Sequence, residues 1–153
     1  MSLDRAWGAA LVLACSPILA ACGSSRMIAD RPLAPPMIRE QFTPLPCPRS
    51  RAARQTTIGI EGCLERRILR TDAGIDARTR VIFGLLRDRT ARLRFLAAER
   101  AWLRYRKASC GSVADVYRGG TAQPVAFAQC VVERNRQHLE DLAPFEAFLR
   151  KRP

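Results

Sequence analysis

Apolar residues are arranged in three different ways along this chain. From Ala6 to Ala20 nearly every position is apolar or small, and from Gly23 to about Arg54 the apolar residues have no regular spacing. From Thr56 onward they take up a helical rhythm. Cys63, Leu64, Ile68, Ile75, Ile82, Leu85 and Leu86 recur at spacings near three, four and seven, as one face of a helix requires. Thr56 or Thr57 can cap its start through a hydroxyl. Gly59, Gly62, Gly74 and Gly84 are unfavourable inside a helix, so the pattern predicts early fraying or a kink. A break near Thr90 or earlier opens a second helix through Leu93, Leu96, Leu103 and Cys110, ending at Val116-Tyr117. Arg118-Gly119-Gly120-Thr121 then reads as a turn, and Pro124 suits the first turn of a third helix through Phe127, Val131, Leu139 and Leu142. Phe145, Phe148 and Leu149 either extend that helix or fold back after Pro144. No stretch alternates with the period of a strand. The expected fold is all-α, a small antiparallel bundle or helical hairpin of about three helices.

The first two regimes read as delivery rather than fold. Arg5 gives the start a positive charge, weakened by Asp4, and the apolar run that follows is too short to span a bilayer comfortably but suits a signal-peptide core. Leu19-Ala20-Ala21-Cys22 looks like a lipobox, with Cys22 as the lipidated first residue of the mature protein. A rival ending at Cys15 shortens the apolar core and puts Leu13 where a small residue is usual; an ordinary cleaved signal is the other alternative. Gly23 after Cys22 resembles the sorting pattern of an outer-membrane lipoprotein, which would face the periplasm. Several acyl chains would hold such a protein stably, since each buried methylene contributes about 0.8 kcal/mol. Six of the ten prolines (Pro32, Pro35, Pro36, Pro44, Pro46, Pro48) fall between Gly23 and Arg54, which predicts an extended tether without chemistry of its own. The chain therefore divides into a lipoprotein signal peptide at 1–21, a lipidated cysteine with a proline-rich tether at 22–54, and a helical domain at 55–153.

A domain of about a hundred residues supports one small core, so crosslinks matter to it. Of six cysteines, Cys15 leaves with the signal and Cys22 goes to lipid, which leaves Cys47, Cys63, Cys110 and Cys130 in an oxidising compartment. Four cysteines allow three pairings. Cys110 and Cys130 stand at similar distances from Gly119-Gly120, so a folded-back hairpin favours Cys110–Cys130 and leaves Cys47–Cys63 to pin the tether to the first helix. Zinc is disfavoured, because there is no Cys-x2-Cys pair and His138 is the single histidine. No metal or cofactor is expected.

The formal charge is +12, and only Lys107 and Lys151 among the 26 basic residues are not arginine. Export argues against a nucleic-acid partner, as does the absence of any groove-reading motif. Anionic envelope polymers or lipid head groups are the electrostatic alternative to a merely solvated surface. With one histidine and no nucleophile beside a base, the chain does not read as an enzyme.

Several linked residues resemble the LprI-like family of lysozyme inhibitors. Thr56, Thr57 and Cys63 match its opening, and Asp72 with Ile75-Asp76 matches an aspartate followed by Leu-Asn, with the asparagine changed. Glu99-Arg100-Ala101-Trp102, Arg106 and Cys110 match a Gln-Arg-Ala-Trp helix, with Glu99 in place of glutamine. Tyr117, Gly119, Gly120 and Thr121 match a Tyr-x-Gly-Gly-Ser turn. After Cys130, Asn135 and His138 stand where threonine and arginine are usual. Arg100 falls on the stripe of Leu93, Leu96 and Leu103, where an unpaired charge would be costly, so Asp72 or Asp76 is its expected partner. Asp72, Arg100, Trp102 and Arg106 thus read as framework, with Trp102 a core anchor rather than a ligand platform.

The resemblance implies a binding protein of the cell envelope whose partner is lysozyme or another muralytic enzyme. Such enzymes work through two carboxylates in a cleft. Tyr117-Arg118-Gly119-Gly120-Thr121 is the candidate contact, because glycines permit close approach and Arg118 offers a bidentate cation. Many animal lysozymes are strongly basic, so a domain of this charge would be repelled at long range. The alternative is a structural or scaffold lipoprotein whose arginine-rich face binds anionic polymers, lipids or an acidic protein.

Overall fold

The computed structural model describes residues 33–39 and 45–152. The expected signal peptide and the lipidation site Cys22 lie outside the described residues. Four helices follow in order: α1 (Arg51–Arg54), α2 (Thr57–Leu85), α3 (Arg89–Asp115) and α4 (Ala122–Lys151). No strand occurs among the described residues. The three long helices were expected; α1, a single turn capped by Ser50, was not.

Local chemistry explains the boundaries. The Thr56 hydroxyl accepts from the Gly59 amide at 3.1 Å and starts α2. The break before α3 falls at 86–88, where the Asp88 carboxylate accepts from the Thr90 and Ala91 amides at 2.7 and 3.0 Å. Gly119 adopts φ +79, the left-handed conformation that glycine takes without steric cost, and its amide donates to Gln123 Oε1 at 3.2 Å to close the turn.

Contrary to the glycine-based expectation, α2 runs unbroken for 29 residues. At Gly62 the reason is close approach: an added Cβ would stand 2.6 Å from the Pro46 carbonyl oxygen. α4 likewise continues through Pro144 rather than folding back. Arg78 bridges that point, donating from Nη1 to the Leu139 carbonyl at 2.9 Å and pairing through Nε with Glu146 at 3.2 Å. Leu142 and Leu149, buried on either side of the proline, hold the two halves on one core.

The long helices run up, down and up, and α4 packs closely against both α2 and α3. Two apolar clusters fill the bundle. The larger, at the end remote from the Gly-Gly turn, contains Ile75, Ile82, Phe83, Leu86, Phe95, Leu96, Leu142 and Leu149. The smaller, nearer the turn, contains Leu64, Ile68, Cys110, Ala128, Val131 and Val132. Cys110–Cys130 joins α3 to α4 beside the smaller cluster, with Cα atoms 5.4 Å apart. Cys47–Cys63 ties the incoming chain to α2. Each closes a loop of fewer than 25 residues and is worth about 3 kcal/mol in the chain-entropy account.

The described residues of the proline-rich stretch before α1 form neither helix nor strand, and they lie on the bundle. Leu33 and Ile38 pack against the larger cluster. The Ile38 amide donates to Asp76 Oδ1 at 2.8 Å, and the Leu45 amide donates to Glu65 Oε2 at 2.9 Å. Two α2 carboxylates are therefore used to hold this strap.

Candidate contact surface at the hairpin end

The buried stripe of α3 is set by Phe95, Leu96, Glu99, Arg106, Cys110 and Ala114. Leu93 is 46% exposed and Arg100 is exposed. The expected pairing of Arg100 with Asp72 or Asp76 is therefore corrected. The stripe is rotated by one position from the Leu93–Leu96–Leu103 reading, which places Glu99 inside and Arg100 outside. Asp76 is occupied by the Ile38 amide. Arg106 is the inward cation, 1% exposed.

Arg106 Nη1 donates to Asp72 Oδ1 at 2.7 Å and to Asn135 Oδ1, while Asn135 Nδ2 donates to Asp72 Oδ1 and Thr71 Oγ1, both at 2.8 Å. One guanidinium thus joins α2, α3 and α4. Its carbon also sits 5.0 Å from the Trp102 ring centroid. Trp102 in turn stacks on His138 at 3.8 Å and 11°, and His138 Nε2 lies 3.0 Å from Glu99 Oε2. This polar layer separates the two apolar clusters. Among the described residues no buried side-chain nitrogen or oxygen lacks a partner. A satisfied layer of this kind fixes helix register, because sliding any helix by one turn would strand a buried charge.

Space around the layer is small. The cavity touching Glu99 and Trp102 has a volume of about 10 Å³, room for one water at most. Among the described residues that cavity leaves no room for a substrate beside Glu99. No cluster of three potential metal ligands occurs among the described residues.

The turn, by contrast, is open. Tyr117 is 49% and Val116 77% exposed, and Arg118 through Thr121 are exposed. Arg118 Nη2 pairs with Asp115 Oδ2 at 2.8 Å, and this hydrogen bond and charge raise the guanidinium pKa above its ordinary value. A solvent-exposed i,i+3 pair is cheaply broken, so Arg118 can be redirected to another carboxylate. Thr121 starts α4 by position, but its side chain makes no cap hydrogen bond.

The family model for lysozyme inhibitor LprI matches residues 47–142. The chain belongs to the lysozyme inhibitor LprI family. The match begins at Cys47, one half of the first disulfide, and ends at Leu142 in the larger cluster, so it encloses both crosslinks, the polar layer and the turn. No curated protein and no solved structure matches the chain. Of the framework residues that carried the LprI resemblance, Asp72, Trp102 and Arg106 come together in the layer, and Arg100 does not. Glu99, Asn135 and His138, noted only as departures from the family pattern, are inside it.

Proposed function

We propose that this chain is an exported, non-enzymatic binding protein that blocks a muralytic enzyme through the hairpin end. Membership of the lysozyme inhibitor family over residues 47–142 is the observation that carries the reading. Both disulfides support an oxidising compartment. The rigid three-helix frame supports the turn Tyr117–Thr121 as a preorganised projection, with Arg118 available to an enzyme carboxylate. The Leu19-Ala20-Ala21-Cys22 sequence supports anchoring through lipid on Cys22, and Gly23 an outer-membrane address facing the periplasm. No helix among the described residues is long and apolar enough to cross a membrane.

The test is titration of the oxidised protein against peptidoglycan hydrolysis by animal-type and bacterial muralytic enzymes. Inhibition at micromolar protein, weakened by Arg118→Ala, is the expected result. No inhibition of either enzyme class refutes the reading, and unchanged potency of Arg118→Ala removes the turn from it.

A second reading has its own observation. Arg54, Arg66, Arg67 and Arg70 surround a concavity of about 680 Å³ floored by Cys47–Cys63 and Leu69, with no carboxylate among its described lining. Four convergent guanidiniums suit an anionic polymer or lipid head group. Binding to anionic envelope extract that collapses with added salt would support it; salt-insensitive binding would not.

A further inference from the structure

The side of the hairpin end away from the arginine concavity has the opposite chemistry. A groove of about 440 Å³ opens between the start of α2, the end of α3 and the start of α4. Its floor is apolar, formed by Ala114, Pro124, Phe127 and Ala128, and its rim carries Glu61, Glu65 and Asp115. No basic side chain lines it among the described residues, although the chain as a whole carries +12. Glu65 is largely buried and holds the Leu45 amide, and Asp115 holds Arg118. Glu61 is half-buried, and no hydrogen bond or ion pair among the described residues reaches it.

An apolar floor below a carboxylate rim matches a side chain with an aliphatic stem and a cationic head, the shape of lysine and arginine. A half-buried carboxylate with no partner of its own gains most from such a cation, because it is already partly desolvated. From this charge complementarity we infer that the groove docks a basic protein segment, seating a lysine or arginine head on Glu61 with apolar neighbours over Phe127 and Pro124. The inference rests on reading the hairpin end as the contact surface, and it assigns the partner's chemistry. Asp115 and Gln123, which line the groove, also hold the turn, so groove and turn form one continuous face. A basic enzyme repelled by the domain at long range would still find a local acidic seat here.

The experiment is an NMR titration of the oxidised full chain with a capped Leu-Lys-Leu-Lys peptide, and with the same peptide carrying glutamate for lysine. Amide shifts centred on Gly111, Ala114 and Ala128 are expected with the lysine peptide alone. Glu61→Gln should weaken binding about tenfold, the size of one charge-assisted contact. Asp115→Asn, on the opposite wall, is the second variant if Glu61→Gln does not fold, and a several-fold loss is expected. The inference is overturned if the groove amides do not move, if both peptides move them equally, or if the carboxylate variants bind the lysine peptide as the parent does. Lysozyme inhibition measured on the same samples separates the two claims. Groove binding without inhibition defeats the inhibitor reading alone, and inhibition without groove binding defeats this inference alone.

Discussion

Removing the Asp72 carboxylate tests whether the polar layer is what fixes the bundle. Asp72→Ala deletes the acceptor of two hydrogen bonds, from Arg106 at 2.7 Å and from Asn135 at 2.8 Å. It takes the Asp72 carboxylate away from a guanidinium that is 1% exposed. Breaking a buried pair from one side costs about 3–5 kcal/mol, most of it the cost of an uncompensated charge. A domain of this size has roughly 5–15 kcal/mol in all, so the loss is a large share. The thermal midpoint should fall by more than about 12 °C, since each kcal/mol moves a domain of about a hundred residues by roughly 4–8 °C. Urea unfolding with both disulfides intact measures the quantity directly. Arg106→Met alone should cost less than Asp72→Ala, because it leaves a carboxylate that Asn135 still serves. Asp72→Leu with Arg106→Met should cost less than the sum of the two single changes, because no charge is then stranded. An Asp72→Ala loss below about 1 kcal/mol would refute the register argument.

The other perturbations are simpler. Gly62→Ala should lower stability and loosen Cys47–Cys63, because its Cβ would strike the Pro46 carbonyl; unchanged urea midpoints would show that the strap moves freely aside. Gly84→Ala meets nothing within 4 Å and lies on the exposed face of α2, so it should stabilise by about 0.5–1 kcal/mol in the same measurement. Replacing Cys110 and Cys130 together by alanine should cost about 3 kcal/mol, with helical circular dichroism retained at low temperature.

The three long helices and both crosslinks were legible because periodicity and hairpin symmetry are local signals. The phase of α3 was not. Leu93 and Leu103 suggested a stripe with Arg100 on it, whereas Phe95 and Cys110 mark the true inward direction, and Arg106 with Glu99 follows from them. A charged residue four before a buried cysteine on the same face was the available clue. The Glu99–His138 pair was also written in the chain, as two departures from the family pattern on facing helices. Nothing in a single sequence says that two such changes touch, and the 3.0 Å contact had to come from the packing of α3 on α4. The strap was illegible for a different reason. Leu33 and Ile38 have no period, and what orders them is a pair of backbone amides donating to Asp76 and Glu65.

Net charge averages over a surface that is not uniform. A count of +12 predicts repulsion from a basic partner. Screening suppresses that repulsion at separations beyond about 8–10 Å at ordinary ionic strength, and at shorter range the local charges decide. At the hairpin end the local charges are Glu61, Glu65 and Asp115 around an apolar floor, with Arg118 turned onto Asp115. On the opposite side of α2 they are Arg54, Arg66, Arg67 and Arg70. One helix therefore separates a surface suited to a cationic protein segment from one suited to an anionic polymer. Binding of a basic enzyme should then be slow to start at low salt and faster at moderate salt, because screening removes the long-range repulsion before it weakens a contact seated at a half-buried carboxylate. An association rate that falls steadily with salt would place the enzyme on some other, oppositely charged face.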